Sequence, residues 1–205
     1  MKKRKLSALL LGAALVCSLC VNGCGNQKAA SQSVFEPTGV TESQESSFGN
    51  LNQFTADTLD QGTFSQEDLA GKDVTVINFW STLCGPCVSE LPDIAAFAKM
   101  LPDNVQVLTA CLDGKGAEEE EVREILERAG FEGVTLMGGE GDYKMLSEAV
   151  QYTPTTVFVD KDGNMIGNPL IGGQENLAQS YGDAVNSILK SQGKAEIEID
   201  FGNQT

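Results

Sequence analysis

The chain has 205 residues, 41% of them hydrophobic, with 29 acidic against 14 basic side chains, no histidine and a formal net charge of −15. That is enough chain for one domain with a substantial core, and the charge argues against nucleic acid and against adsorption to anionic lipid headgroups.

Residues 1–23 open with Lys2, Lys3, Arg4 and Lys5 and continue as an apolar run from Leu6 to Val21. The run is short and rich in small residues, the pattern of a signal peptide rather than of a stable membrane span. Val21-Asn22-Gly23-Cys24 is similar to the lipobox of bacterial lipoprotein signals, which implies lipidation of Cys24 and loss of Cys17 and Cys20 with the signal. A diacylglyceryl group supplies two chains and meets the requirement for stable anchoring. An uncleaved anchor and ordinary secretion are the competing readings of the same run. Cleavage would take four cations and no acid, leaving the mature chain more acidic still. Residues 24–50 are rich in Ser, Gln, Glu, Thr and Gly and bury too little surface to order themselves, so they read as a flexible membrane tether of roughly 25–30 Å.

Residues 51–192 read as one domain and 193–205 as a tail. A short β-hairpin region over 52–57 and 62–64 comes first, then a capped turn at Ser65-Gln66-Glu67-Asp68. The apolar, β-branched run from Val74 to Trp80 reads as a buried strand and leads into a helix from Pro86, with Val88, Leu91, Ile94, Ala95 and Ala98 at helical spacing. A strand over 105–111 and a helix over 117–129 follow, the helix carrying Val122, Ile125, Leu126 and Ala129 on one face and stopping at Gly130. Its run Glu118-Glu119-Glu120-Glu121 is a solvated, dipole-compatible start rather than an acidic binding site. Then come a strand over 134–137, a helix over 142–150, a hairpin of 155–160 and 164–170 joined by Lys161-Asp162-Gly163, and a closing helix over 175–191. Strands alternating with helices and ending in a hairpin make an α/β fold, a central sheet covered on both faces. In the tail, Ile197 and Ile199 alternate with acids, which fits an edge strand or a frayed end.

The chemistry sits where the central strand stops, at Cys84-Gly85-Pro86-Cys87. Cys84 falls at or near a helix N-cap and Cys87 one turn later, where free N–H groups and the positive end of the macrodipole favour thiolate. Pro86 fits the first turn and stiffens the loop. A zinc half-site would need two more Cys or His ligands, and the predicted domain offers only Cys111. A structural bridge over so small a loop removes little unfolded-state entropy. Reversible redox chemistry is the preferred reading, with Cys84 the more exposed and reactive sulfur and Cys87 the shielded one that resolves a mixed disulfide.

Asn78-Phe79-Trp80-Ser81-Thr82-Leu83-Cys84-Gly85-Pro86-Cys87, followed by Ser89-Glu90-Leu91-Pro92, resembles the TlpA/ResA-like extracytoplasmic thiol-disulfide oxidoreductases of the thioredoxin fold. The resemblance runs over about residues 52–192 and implies a thioredoxin-like fold with a central mixed β-sheet. It also implies a cis-proline at Thr153-Pro154, and substrate contacts from Trp80, Gly85, Pro86, Thr153 and Pro154. No cofactor is expected beyond the redox-active Cys84–Cys87 disulfide. The implied partners are envelope proteins with labile disulfides, such as apocytochrome c or methionine sulfoxide reductase, and a membrane electron donor of the CcdA or DsbD kind. The family usually has an aromatic residue directly before the first cysteine, where this chain has Leu83. A disulfide-forming oxidase or isomerase, and a non-catalytic binding lipoprotein of the same fold, are the alternatives.

Asn78 occupies the strand position where thioredoxins commonly bury an acid that takes the proton of the second cysteine, and an amide has no such capacity. Glu90, near one turn after Cys87, is where ResA-like proteins carry a glutamate, and it becomes the candidate proton acceptor. Its competing reading is a surface helix residue. Cys111, ending a buried strand, reads first as a small hydrophobe.

Overall fold

The computed structural model describes residues 48–199; the expected signal peptide, Cys24, most of the expected tether and the last six residues lie outside it. Seven strands form one mixed sheet in the order β2-β1-β5-β4-β3-β6-β7, and helices lie on both faces. The strands are β1 (Phe54–Thr58), β2 (Thr63–Ser65), β3 (Val74–Trp80), β4 (Val105–Cys111), β5 (Thr135–Gly141), β6 (Thr155–Val159) and β7 (Leu170–Ile171). The α-helices are α1 (Gln66–Leu69), α2 (Gly85–Lys99), α3 (Glu119–Ala129), α4 (Asp142–Ala149) and α5 (Leu177–Ser191).

The centre is β3, whose seven residues are all buried. It pairs in parallel with β4 along its whole length and antiparallel with β6. A strand with both edges paired and both faces covered needs apolar, β-branched residues throughout, which is what Val74, Thr75, Val76 and Ile77 supply. On one face, Val76 and Trp80 pack with Leu91, Ile94 and Phe97 of α2, with α3, and with Tyr181, Val185 and Ile188 of α5. On the other, Ile77 and Phe79 pack with Leu51, Phe54, Leu69 and the α4 residues Tyr143 and Leu146.

The expected elements are present, with three differences. First, β5 runs on past Met137 through Gly138, Gly139 and Gly141 and pairs with β1. A Cβ at Gly139 would run into the Thr55 carbonyl, so bare backbone is what lets the two strands close. Second, the last hairpin shrinks to a Val159–Met165 bridge and the two residues of β7, because Asp160 turns the chain tightly by accepting the N–H groups of Asp162 and Asn164. Third, the described part of the tail is neither strand nor free end. Ile197 exchanges two hydrogen bonds with the Asn186 side chain, at 2.7 and 3.0 Å, and Ile199 lies on Gly182, so the segment runs back along the side of α5. Among the described residues no helix is long and apolar enough to cross a membrane.

Candidate active site

β3 and β4 both end at the same edge of the sheet, and the β3–α2 turn there carries the dithiol. Ser81, Thr82 and Leu83 form the turn, and Asp113, in the loop after β4, pins it by accepting the Thr82 N–H at 2.9 Å and the Thr82 hydroxyl at 3.1 Å. The Cys84 N–H closes back on the Ser81 carbonyl at 3.1 Å. Cys84 is the N-cap of α2 and Pro86 lies in its first turn. The Cys84 sulfur accepts the Cys87 N–H at 3.2 Å, one of the helix-start donors that has no partner inside the helix. The same interaction stabilises a thiolate when the pair is reduced.

The two cysteines are joined as a disulfide and are unequal: Cys87 is wholly buried and Cys84 partly exposed. The Cys84 sulfur lies 3.5 Å from the Thr153 carbonyl oxygen, and the peptide bond between Thr153 and Pro154 is cis. Gly85 and Pro86 are exposed beside it. Trp80, expected at the substrate surface, is 0% exposed and belongs to the core beneath the site, because position 80 is the last residue of a strand covered on both faces. The apolar rim comes from other residues. Leu83 is 89% exposed, Tyr152 69% and Ile171 57%; Tyr152 precedes Thr153, and Ile171 pairs with Thr155. Tyr152 thus places an exposed aromatic residue directly before Thr153, whose carbonyl faces the Cys84 sulfur.

Glu90 is no surface residue: it is 7% exposed, on the face of α2 turned to the sheet. Asn78, wholly buried on β3, donates through Nδ2 to Glu90 Oε1 at 3.1 Å. The same nitrogen lies 3.0 Å from Thr156 Oγ1 on β6 and 3.2 Å from the Tyr181 hydroxyl on α5, and those two hydroxyls are 2.6 Å apart. Burial pushes the Glu90 carboxyl above the ordinary carboxylate range. The Asn78 amide and the Gln174 backbone N–H pull it down, and the Asp93 carboxylate adds a smaller upward push. A carboxyl held up in this way accepts and returns a proton closer to neutral pH, which suits exchange between thiol and thiolate.

Cys111 is buried with its sulfur 3.3 Å from Asp113 Oδ1. Burial and that carboxylate push its thiol up to about 12, so it stays a protonated small hydrophobe at neutral pH. Thr156, Tyr181, Asp113 and Gln174 were not legible as site residues: Tyr181 sits at a core position of an amphipathic helix, and the others carry no spacing that marks them.

A thioredoxin-like sheet, a helix-start Cys-x-x-Cys disulfide and a cis-proline facing its outer sulfur define a thiol-disulfide oxidoreductase. The chain belongs to the AhpC/TSA family, which residues 50–167 match. It is 28% identical over 128 residues to the thioredoxin-like protein YneN of Bacillus subtilis, covering 61% of this chain and 69% of that one. It is also 30% identical over 108 residues to the thiol-disulfide oxidoreductase ResA of Oceanobacillus iheyensis, covering 52% of this chain and 54% of ResA, so the likeness spans about half of that relative. The same fold is seen in a DsbF homologue from Corynebacterium diphtheriae, with a TM-score of 0.56 at 18% identity over 67% of this chain and 85% of the homologue. It is seen again in StoA from Bacillus subtilis, with a TM-score of 0.50 at 19% identity over 63% of this chain and 97% of StoA.

Proposed function

We propose that the protein is a lipid-anchored reductase of disulfides in extracytoplasmic proteins, held at the outer face of the cell membrane through Cys24. The observation that carries the redox half is the asymmetry of the dithiol: one sulfur half-exposed at the helix start and facing the Thr153 carbonyl, the other buried. The anchor rests on the sequence before Cys24.

In the reduced protein the Cys84 thiolate attacks a substrate disulfide, forming a mixed disulfide and releasing one substrate thiolate. Cys87 then loses its proton, with Glu90 as the acceptor within the buried face, and its thiolate attacks the Cys84 sulfur. The mixed bond breaks, the second substrate sulfur leaves as thiolate and takes up a proton, and the Cys84–Cys87 disulfide remains. Two electrons have passed from the dithiol to the substrate. A substrate strand laid along Thr153 and Pro154 finds backbone hydrogen-bonding groups next to Cys84, which orients its disulfide for in-line attack. Returning the two electrons requires a donor on the membrane, a thiol-electron carrier of the CcdA or DsbD kind. Candidate substrates are apocytochrome c, methionine sulfoxide reductase and other envelope proteins with labile disulfides.

The decisive experiment expresses Cys87→Ser and Cys84→Ser in the native envelope and separates the proteins without reductant. Cys87→Ser accumulates mixed disulfides whose partners identify the substrate and the donor, and Cys84→Ser accumulates none. Equal trapping by both variants overturns the assignment of roles. A reduction potential at the strongly oxidising end of the disulfide range would reverse the direction and make the protein an oxidase.

A further inference from the structure

Glu90 is covered from the solvent side by three residues that lie outside every helix and strand. After β7 the chain passes through Gly172, Gly173 and Gln174. The Gly172 N–H donates to the Pro154 carbonyl at 2.8 Å, and the Gln174 side-chain amide donates back to the Gly172 carbonyl at 2.8 Å, closing the segment on itself. Gly173 is exposed to solvent on its outer side, yet a Cβ built on it would point at Glu90 Oε2, 3.5 Å away, with no other atom within 4 Å. Glu90 Oε2 has no hydrogen-bond partner among the described residues, and the nearby Gln174 backbone N–H holds the carboxyl's proton affinity down. The segment is therefore a thin roof between Glu90 and water, fastened to the cis-proline edge at Gly172 and folded on itself by the Gln174 side chain.

We propose that the Gly172-Gly173-Gln174 segment is what keeps Glu90 dry, and that Gln174 is a positioning residue that sets, through this roof, the pH at which Glu90 exchanges its proton. The inference deepens the reading of Glu90 as proton acceptor and rests on it. The groups facing Glu90 from the elements packed around it are few. On α2 it is Asp93; α5 contributes the Tyr181 hydroxyl; β3 and β6 contribute the uncharged Asn78 and Thr156. With one neighbouring carboxylate and no cation in that set, water access is the variable with the largest leverage on the carboxyl. Three residues without regular structure, two of them glycines, open at low cost unless a side chain ties them, and the Gln174 amide is that tie.

Two substitutions pull in opposite directions. Gln174→Met keeps the size and removes the donor, so the roof loosens: the carboxyl gains water and loses the pull of the Gln174 backbone N–H, and because burial is the larger influence its proton affinity falls. Gly173→Ala places a methyl in ordinary contact with Oε2 at a position whose φ suits any residue, so the carboxyl is drier and its proton affinity rises. The oxidised protein is the right sample, because its two active-site cysteines do not titrate. The Glu90 side-chain carbon is followed by NMR against pH in wild type and both variants. The expected result is a midpoint lower than wild type by roughly half a pH unit or more in Gln174→Met and higher in Gly173→Ala, the direction set by hydration. Unchanged midpoints in both, or shifts of the same sign, overturn the roof. The reading of Glu90 itself is tested separately, by the pH profile of thiol alkylation in the reduced protein. If Glu90→Gln leaves that profile unchanged while the NMR midpoints move as stated, the roof stands and the proton-acceptor role falls.

Discussion

Asn78 and Glu90 meet inside the protein through one hydrogen bond, Nδ2 to Oε1 at 3.1 Å, and this pairing moves the titratable group off the central strand and onto α2. An amide on β3 holds a carboxyl without competing for its proton, whereas two carboxyls at that distance would share one. The carboxyl is then carried on the same helix as the dithiol, near one turn beyond Cys87.

Glu90→Gln should stabilise the oxidised protein at neutral pH. Burial raises the folded-state value of the carboxyl above its unfolded one. The folded chain therefore binds the proton more tightly, and this contribution to stability is present in full below the unfolded value and is lost as pH rises through the raised one. Glutamine keeps an oxygen for the Asn78 amide and never has to ionise. Urea unfolding of both proteins from pH 4 to 8 should show the variant gaining over wild type as pH rises, and a pH-independent difference would contradict the burial of a titrating group.

Tyr181→Phe removes a hydroxyl that lies 2.6 Å from Thr156 Oγ1 and 3.2 Å from Asn78 Nδ2, while the ring keeps its edge-on contact with Phe97. Partners left unsatisfied in a buried network cost about 1–3 kcal/mol. The urea midpoint should fall accordingly with the m value unchanged. Combined with Thr156→Val, the loss should be smaller than the sum of the two, since the same bond is removed twice.

Tyr152→Ala and Leu83→Ala should separate large substrates from small ones. Both side chains are exposed apolar groups flanking Cys84, and covering one on docking is worth about 1–3 kcal/mol. Exchange with a folded protein disulfide should slow about tenfold in kcat/KM. Exchange with oxidised glutathione, too small to reach the rim, should stay near wild type. Equal losses on both substrates would mean that the rim acts on the dithiol rather than on the partner.

Cys24→Ala should leave the precursor unprocessed or release the protein from membranes in a host with lipoprotein processing. Fractionation and labelling with a radioactive fatty acid measure it. Membrane retention with normal cleavage would remove the lipid anchor from the reading.

The reach of the sequence is set by what kind of signal each feature leaves. Cys84, Pro86 and the helix behind them were legible because caps, prolines and 3.6-residue spacing are local rules, and the structure has Cys84 as the N-cap of α2. The substrate contact expected of Trp80 came from the family resemblance, whereas the residue ends the strand that its own apolar run marks as buried, and every residue of β3 is buried. The extension of β5 through three glycines reads as a turn in one dimension and becomes strand only when β1 closes against it. Thr156 on β6 and Tyr181 on α5 lie 25 residues apart in the chain, and their meeting at Asn78 is a property of the packed sheet, not of any window of sequence.

The start of the described chain has a mechanical consequence. The Leu51 N–H is held by the Gly163 carbonyl, Asp142 Oδ2 accepts the N–H groups of Asn52 and Gln53, and Met165 donates its N–H to Asn50 Oδ1. These clamps lie on the Phe79 and Tyr143 side of the sheet, with Leu51 in that core, while Asn78, Glu90 and Tyr181 occupy the other side. A pull arriving from the residues before Phe48 is therefore taken up by four backbone donors on the far side of β3 and spread into β6 and α4. Domain orientation and drag can load that side while the buried polar network behind the dithiol keeps its geometry.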